Sequence, residues 1–384
     1  MRLSGATIGF LSSSDLRDKR SLSGTMYTMA KSLESTGANV VWIPVKSGSL
    51  AYKLYRKFVK EAVRMVPKLG SRLPRHYLWS SRIAARNLDA ELVESCDVLF
   101  APMQSVALFS LETGKPIVYF SDTTFRLMID YYWSNLPERD IREGDRIEQR
   151  AVEKAAALVY PCRWAAESAV RDYGQPREKI SLALFGPNLD VSGIVPHEFR
   201  FDGHLDLLFV GVDWRRKGGF IAVEACEWLN RNGVDSTLHV VGIKSLDPKI
   251  ASLPFVEDHG FLDKNKPGDY SRIVSLYSSA DCFILPTMAE CTGVSFCEAS
   301  AFGLPCFTHD TGGVSDYVID GINGRLLPPG SSGEEFGGTI KACVEDGSME
   351  RMSLGATAVS RERLTWDKWT ETLSEVIGKT LGNG

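Results

Sequence analysis

The chain has 384 residues, 44% of them hydrophobic and 24% charged, with a formal net charge of −4. That length exceeds one ordinary hydrophobic core, so two domains are expected, and no apolar run approaches the roughly 20 residues that span a bilayer. The N-terminus (Met1-Arg2-Leu3-Ser4-Gly5) lacks the grammar of a cleaved leader, and eight singly scattered cysteines without a C-x-x-C pair read as reduced core thiols of a cytoplasmic protein, not as a disulfide framework or zinc site.

An apolar stretch at 6–11 predicts the first strand, and the Ser/Gly-rich loop 21–25 opens a helix over 26–35. Residues 40–44 predict the next strand. Between Lys46 and Arg86, eleven Lys/Arg stand against one acid, Glu61. On a helical wheel Leu54, Phe58, Ala62, Met65 and Leu69 share a face, with Lys53, Lys57, Lys60, Arg64 and Lys68 on an adjoining flank. That pattern suits an interfacial helix on an anionic membrane, each surface cation contributing roughly 1 kcal/mol. It equally suits a surface helix packed on its own domain with a solvated basic face. A long anionic polysaccharide explains the charge as well. No nucleic-acid partner is expected, because few aromatics are placed for stacking and no nucleic-acid module is visible.

Short buried strands are predicted at 97–101, 116–120 and 157–160, with a long helix over 145–158. After a turn-rich stretch, 185–204, the pattern restarts with a strand at 205–210, a basic loop and a helix at 219–230. Strands at 237–241, 281–285 and 305–308 follow, and a helical segment covers 366–380. Alternating strands and helices imply parallel, doubly wound sheets with right-handed crossovers. The expected fold is α/β: two Rossmann-like domains, 1–190 and 200–362, facing a cleft, with 363–384 crossing back to the first. Ligands in such sheets bind beyond the carboxyl ends of the strands.

The segment 283–303, F-I-L-P-T-M-A-E-C-T-G-V-S-F-C-E-A-S-A-F-G, carries the most chemistry. A strand leads into a loop with Glu290, and Thr292-Gly293-Val294 opens a helix that carries Glu298. Gly293 permits close backbone approach, and the free amides of the first turn, backed by the helix dipole, suit a diphosphate. Glu298 can accept hydrogen bonds from a cis-diol such as a ribose, and Glu290 can face what lies beyond the diphosphate. Either glutamate alone reads as a cap or a solvated helix residue. Arg215, Arg216 and Lys217 in the loop 211–219 suit a leaving diphosphate, and a solvated basic loop is the alternative.

Glu290 and Glu298, with Gly293 between them, resemble the paired-glutamate motif of the family 4 retaining glycosyltransferases. The resemblance extends through Ala299-Ser300-Ala301-Phe302-Gly303-Leu304-Pro305, Thr311-Gly312-Gly313-Val314 and Asp320-Gly321-Ile322-Asn323-Gly324. It implies the GT-B fold, an acceptor domain followed by a donor domain, Glu298 on the donor ribose and Glu290 on hydroxyls of the transferred sugar. The family's Lys-Gly falls at Lys217-Gly218, but its Arg five residues before the Lys is Val212 here, so Arg216 (or Arg215) is expected to replace it. The loop 255–262, with Gly260 and Phe261, resembles the turn whose backbone reads the nucleobase. Ser23-Gly24-Thr25 matches the family's glycine-rich loop, and is otherwise a helix-capping turn.

Many relatives carry a histidine after the strand at 116–120; here Asp122 falls on or beside that position. Asp122 is expected to orient the donor sugar or accept the acceptor's proton, with capping of the next helix as the alternative. No D-x-D occurs, so no metal is expected to serve the reaction. The resemblance therefore implies retaining transfer from a nucleotide-diphosphate sugar, itself the donor substrate rather than a cofactor, to a glycan or lipid-linked acceptor. A non-catalytic sugar-nucleotide-binding subunit, or an epimerase or sugar-phosphate synthase on the same fold, are the other readings.

Overall fold

The computed structural model describes residues 3–19, 21–46, 54–55, 57–59, 61, 65, 72–73 and 76–382. They form two compact units, Met1–Ala183 together with Asp367–Gly384, and Leu184–Trp366.

In the first unit six strands are all parallel: β1 (Thr7–Ser12), β2 (Asn39–Pro44), β3 (Val98–Pro102), β4 (Ile117–Phe120), β5 (Ala157–Tyr160) and β6 (Ile180–Leu182). Their order is β2-β1-β3-β4-β5-β6. Every residue of β3 and β4 is buried, which is why these strands read as unbroken apolar runs: helices cover both faces of a parallel sheet. The long helix spans Glu138–Lys154, not the expected 145–158. It stops because Ala155 turns extended (φ −63°, ψ 139°) and hands the chain to β5. The C-terminal helix, Trp366–Thr380, adds Trp369, a fully buried ring with its centroid 6.2 Å from that of Phe100 and 6.3 Å from that of Phe120.

The second unit holds β7 (His204–Val210), β8 (Asp235–Val241), β9 (Val256–Asp258), β10 (Cys282–Leu285), β11 (Cys306–His309) and β12 (Gly324–Leu327), again all parallel. The order is β12-β11-β10-β7-β8-β9. Counted from its own first strand this is 3-2-1-4-5-6, and the order reverses between β7 and β10. The unit begins at Leu184, ahead of the expected start of the second domain at 200. Phe185 accounts for the difference: its amide donates to Tyr317 Oη at 3.2 Å and its ring lies 5.8 Å from Trp366, both inside this unit.

All eight cysteines are buried and unbridged. No described helix is long and apolar enough to cross a membrane. Of the basic segment, Lys53, Lys60, Ala62, Arg64, Lys68 and Leu69 lie outside the described residues, whereas Leu54, Phe58 and Met65 are exposed.

Candidate functional site

The loops that follow β7 and β10 leave the second sheet on either side of its order reversal, so their residues meet beyond the carboxyl ends of adjacent strands. Arg216 ties the two loops together. Its carbonyl accepts from the Met288 amide at 2.7 Å and from Thr287 Oγ1 at 3.3 Å, and one guanidinium nitrogen donates to the Ala289 carbonyl at 2.8 Å. Gly218, at φ +75°, allows that approach, since a Cβ there would stand 2.0 Å from the Pro286 carbonyl oxygen.

Two cations converge on Glu290. Lys217 Nζ donates to Oε2, and Arg216 lies 3.5 Å from the same oxygen. Of the two candidate arginines it is therefore Arg216 that enters the cluster, while Arg215 and Val212 are exposed. The Gly313 amide, from the loop after β11, donates to the Glu290 carbonyl at 3.3 Å and sets the third wall.

Beyond Glu290, Thr292 is buried and Gly293 is the N-cap of the Val294–Ala301 helix, with no side chain capping it. Gly293 sits at φ +95°, where a Cβ would stand 2.5 Å from the Phe296 ring, so glycine is required twice over. The first-turn amides after Gly293 include that of Val294, and they supply the partial positive charge of a helix terminus. Glu298 follows on the same helix, 3% exposed. Its Oε1 accepts from Lys264 Nζ at 2.5 Å and its Oε2 from Tyr277 Oη at 3.1 Å. Burial and the adjacent Glu298 carboxylate drive the Tyr277 phenol well above its ordinary pKa, so it remains a donor. Lys264 and Tyr277 carry no sequence signal: one sits in an Asp/Asn/Lys loop, the other in a helix with no motif.

Gly260 has φ +64°, and its amide donates to Asp258 Oδ1 at 2.9 Å. The exposed Phe261 ring lies 5.3 Å from Lys244 Nζ. Arg216, Lys217, Glu290, Thr292, Gly293, Val294 and Glu298 thus lie in the loops and helix that follow the central strands β7 and β10, with Gly260 and Phe261 just past β9 on that sheet.

Gly24 and Asp122 belong to the first unit. Gly24 (φ +99°) is the N-cap of the Thr25–Ser35 helix, and Leu22 and Ser23 before it are also left-handed, a concentration of backbone strain typical of functional turns. Asp122 lies two residues past the end of β4, partly buried, and the N-cap position of the next helix is Thr124 rather than Asp122. Near it lies Glu148, which sequence reading passed over as one acid on a charged helix. It is 4% exposed, accepts from Tyr119 Oη at 3.0 Å, and burial raises its pKa to about 7.

A family model described as "Glycosyl transferases group 1" matches residues 196–359, and one described as "Glycosyltransferase Family 4" matches residues 23–187. A D-inositol 3-phosphate glycosyltransferase of Paenarthrobacter aurescens is 30% identical over 203 residues, 48% of each chain. The chain spans about half the length of the curated relatives it matches. Among solved structures, a sucrose-phosphate synthase of Thermosynechococcus elongatus superposes with a TM-score of 0.70 at 14% identity, over 99% of this chain and 100% of that one. Anabaena HepE in complex with UDP and glucose gives 0.62 at 17% identity, over 97% and 99%. These likenesses carry the GT-B fold, and the two family models fall on the two units in turn. With the paired glutamates set on that fold, the chain belongs to the family 4-like glycosyltransferases.

Proposed function

We propose that this chain transfers a sugar from a nucleotide-diphosphate donor to a glycan or lipid-linked acceptor, with retention of configuration. The observation that carries the reading is the meeting of Arg216, Lys217, Glu290 and Gly293 at the order reversal of the second sheet, with Glu298 buried behind them. In this reading the diphosphate takes the amides that follow Gly293 and the ammonium of Lys217, in place of the Glu290 carboxylate that Lys217 now holds. Fixed cations and amides aimed at the developing charge favour cleavage of the glycosidic bond, and they do this without a metal ion. Glu298 receives the ribose hydroxyls, Glu290 hydroxyls of the sugar, and the Gly260–Phe261 turn the nucleobase. Arg216 acts mainly through its hold on the Ala289 carbonyl, keeping Glu290 in place.

Asp122 and Gly24 are the first unit's part in this reading: Asp122 orients the sugar or takes the acceptor's proton, and the strained turn at Gly24 approaches a phosphate or the acceptor. Residues 363–384 are proposed to belong functionally with that acceptor domain. The exposed Leu54, Phe58 and Met65, in a segment with eleven Lys/Arg between 46 and 86, support a peripheral position on the inner, anionic face of a membrane of the cytoplasm.

A thermal-shift panel of UDP-, GDP- and ADP-sugars on wild type and Glu298→Ala tests the donor site. One nucleotide family at 100 times its dissociation constant should add about 2.7 kcal/mol of stability, lost in the variant. No stabilisation by any of the three removes the donor assignment.

A further inference from the structure

On the far side of β8 from β10, a histidine pair and a carboxylate meet at the edge of the second sheet. His239 lies in β8, in register with Glu257 of β9, and His259 directly follows β9. His239 Nδ1 and His259 Nε2 are 3.0 Å apart, and Glu257 Oε2 is 3.4 Å from the first and 3.9 Å from the second. Both imidazoles are largely shielded, with side chains 15% and 10% exposed. Two nitrogens and an oxygen bound to one tetrahedral ion, at about 2.0–2.2 Å each, lie about 3.3 Å from one another. The three edges here bracket that value.

The surroundings fix which nitrogen of His239 is available. His239 Nε2 stands 2.9 Å from Asp206 Oδ1, which accepts only, so Nε2 carries the proton and Nδ1 presents its lone pair inward. A carboxylate behind a ligating imidazole is the arrangement that orients such ligands and raises their basicity. We propose that His239 Nδ1, His259 Nε2 and the Glu257 carboxylate bind a divalent ion of the zinc, cobalt and nickel class, with water as the fourth ligand.

His239 Nδ1 and His259 Nε2 lie at hydrogen-bond distance, so with Nδ1 of His239 accepting, Nε2 of His259 is the donor. The ring planes are nearly parallel (18°) with centroids 5.3 Å apart, and Arg272 donates to His259 Nδ1 at 3.0 Å. Metal entry balances as follows: the rings tilt, the Nε2 proton of His259 moves to Nδ1, and the Arg272 guanidinium, on the exposed side, withdraws from that nitrogen. No net proton leaves, and Arg272 competes with the ion. The site differs from the one proposed for the donor, yet it abuts the Gly260–Phe261 turn, so an ion there would stiffen that turn. Only this last consequence rests on the proposed function.

The test is a titration of the whole metal-free protein with Co2+, without nucleotide. A tetrahedral visible absorption band saturating at one ion per chain, displaced by Zn2+, is the expected result. His239→Gln and His259→Gln should each weaken binding at least tenfold, and Arg272→Gln should tighten it several-fold. Absence of the band in wild type overturns the proposal, as does a band of equal affinity in both histidine variants. Circular dichroism of each variant separates a lost ligand from a lost fold. Because nucleotide is absent throughout, failure of the donor assignment leaves this result untouched.

Discussion

Lys264 Nζ stands 2.5 Å from Glu298 Oε1, so a lysine holds the carboxylate proposed to receive a ribose. The pair is enclosed, with the two side chains 17% and 4% exposed. Removing Lys264 leaves a buried charge that, among the described residues, keeps the hydrogen bond from Tyr277. Lys264→Met should therefore lower stability by about 3 kcal/mol. It also frees Oε1, so nucleotide should raise the melting temperature of the variant more than that of wild type. A ligand-induced shift smaller than wild type would mean that Lys264 itself contacts the nucleotide.

Lys217 and Glu290 neutralise each other across the two loops, and their removal should separate binding from turnover. Lys217→Ala should reduce kcat about 100- to 1000-fold, the usual effect of losing one charge-stabilising donor. Glu290→Gln should bind the nucleoside diphosphate at least as well as wild type, because Lys217 is released for the phosphates, yet transfer poorly. Isothermal titration beside steady-state kinetics reads both. Equal losses of diphosphate binding in the two variants would contradict the assigned roles.

Gly218 binds the loops sterically. Gly218→Ala forces a Cβ to within 2.0 Å of the Pro286 carbonyl oxygen at φ +75°. Left-handed backbone alone costs a β-carbon roughly 1–2 kcal/mol, and here the obstacle is a backbone atom that cannot rotate aside. A destabilisation of about 3 kcal/mol or more in urea unfolding is expected, with nucleotide binding lost.

Glu148 gives the first unit a pH signature. Burial raises its folded pKa to about 7 from an ordinary 4.5, so between these values the folded state holds a proton that the unfolded state releases. Stability from this group is full below pH 4.5 and falls as pH rises towards 7. Glu148→Gln should remove that slope, leaving the variant more stable than wild type above pH 7 by up to ~3 kcal/mol. Melting curves from pH 4 to 8 check it, and a difference independent of pH would refute it.

Trp369 is the largest ring in the first unit's core that comes from the chain's end. Trp369→Ala should cost that unit about 3–5 kcal/mol while leaving the second unit's transition in place. Calorimetry resolving two transitions would show which one moves.

Several features were readable from residues alone. β5 lies where alternation and apolarity put it, 157–160, and the central strands β3, β4, β10 and β11 were visible because burial on both faces demands unbroken apolar runs. Glu290, Gly293 and Glu298 stand out in the sequence because they share one short segment, where a glycine and two acids interrupt an apolar pattern.

What only the tertiary structure decided came from other segments. β6, β9 and β12 are strands of three or four residues at or near sheet edges, and they exist because a neighbouring strand offers its ladder, not because of any pattern of their own. The choice of Arg216 over Arg215 depends on which side of the turn faces β10. Lys264 on Glu298, Tyr119 on Glu148 and Asp206 behind His239 each join residues 29 or more apart. Local sequence encodes propensity and apolar period, which place strands and helices. Charge pairing and pKa depend on which distant groups share a dry volume, and that is set only when the sheet order brings them together.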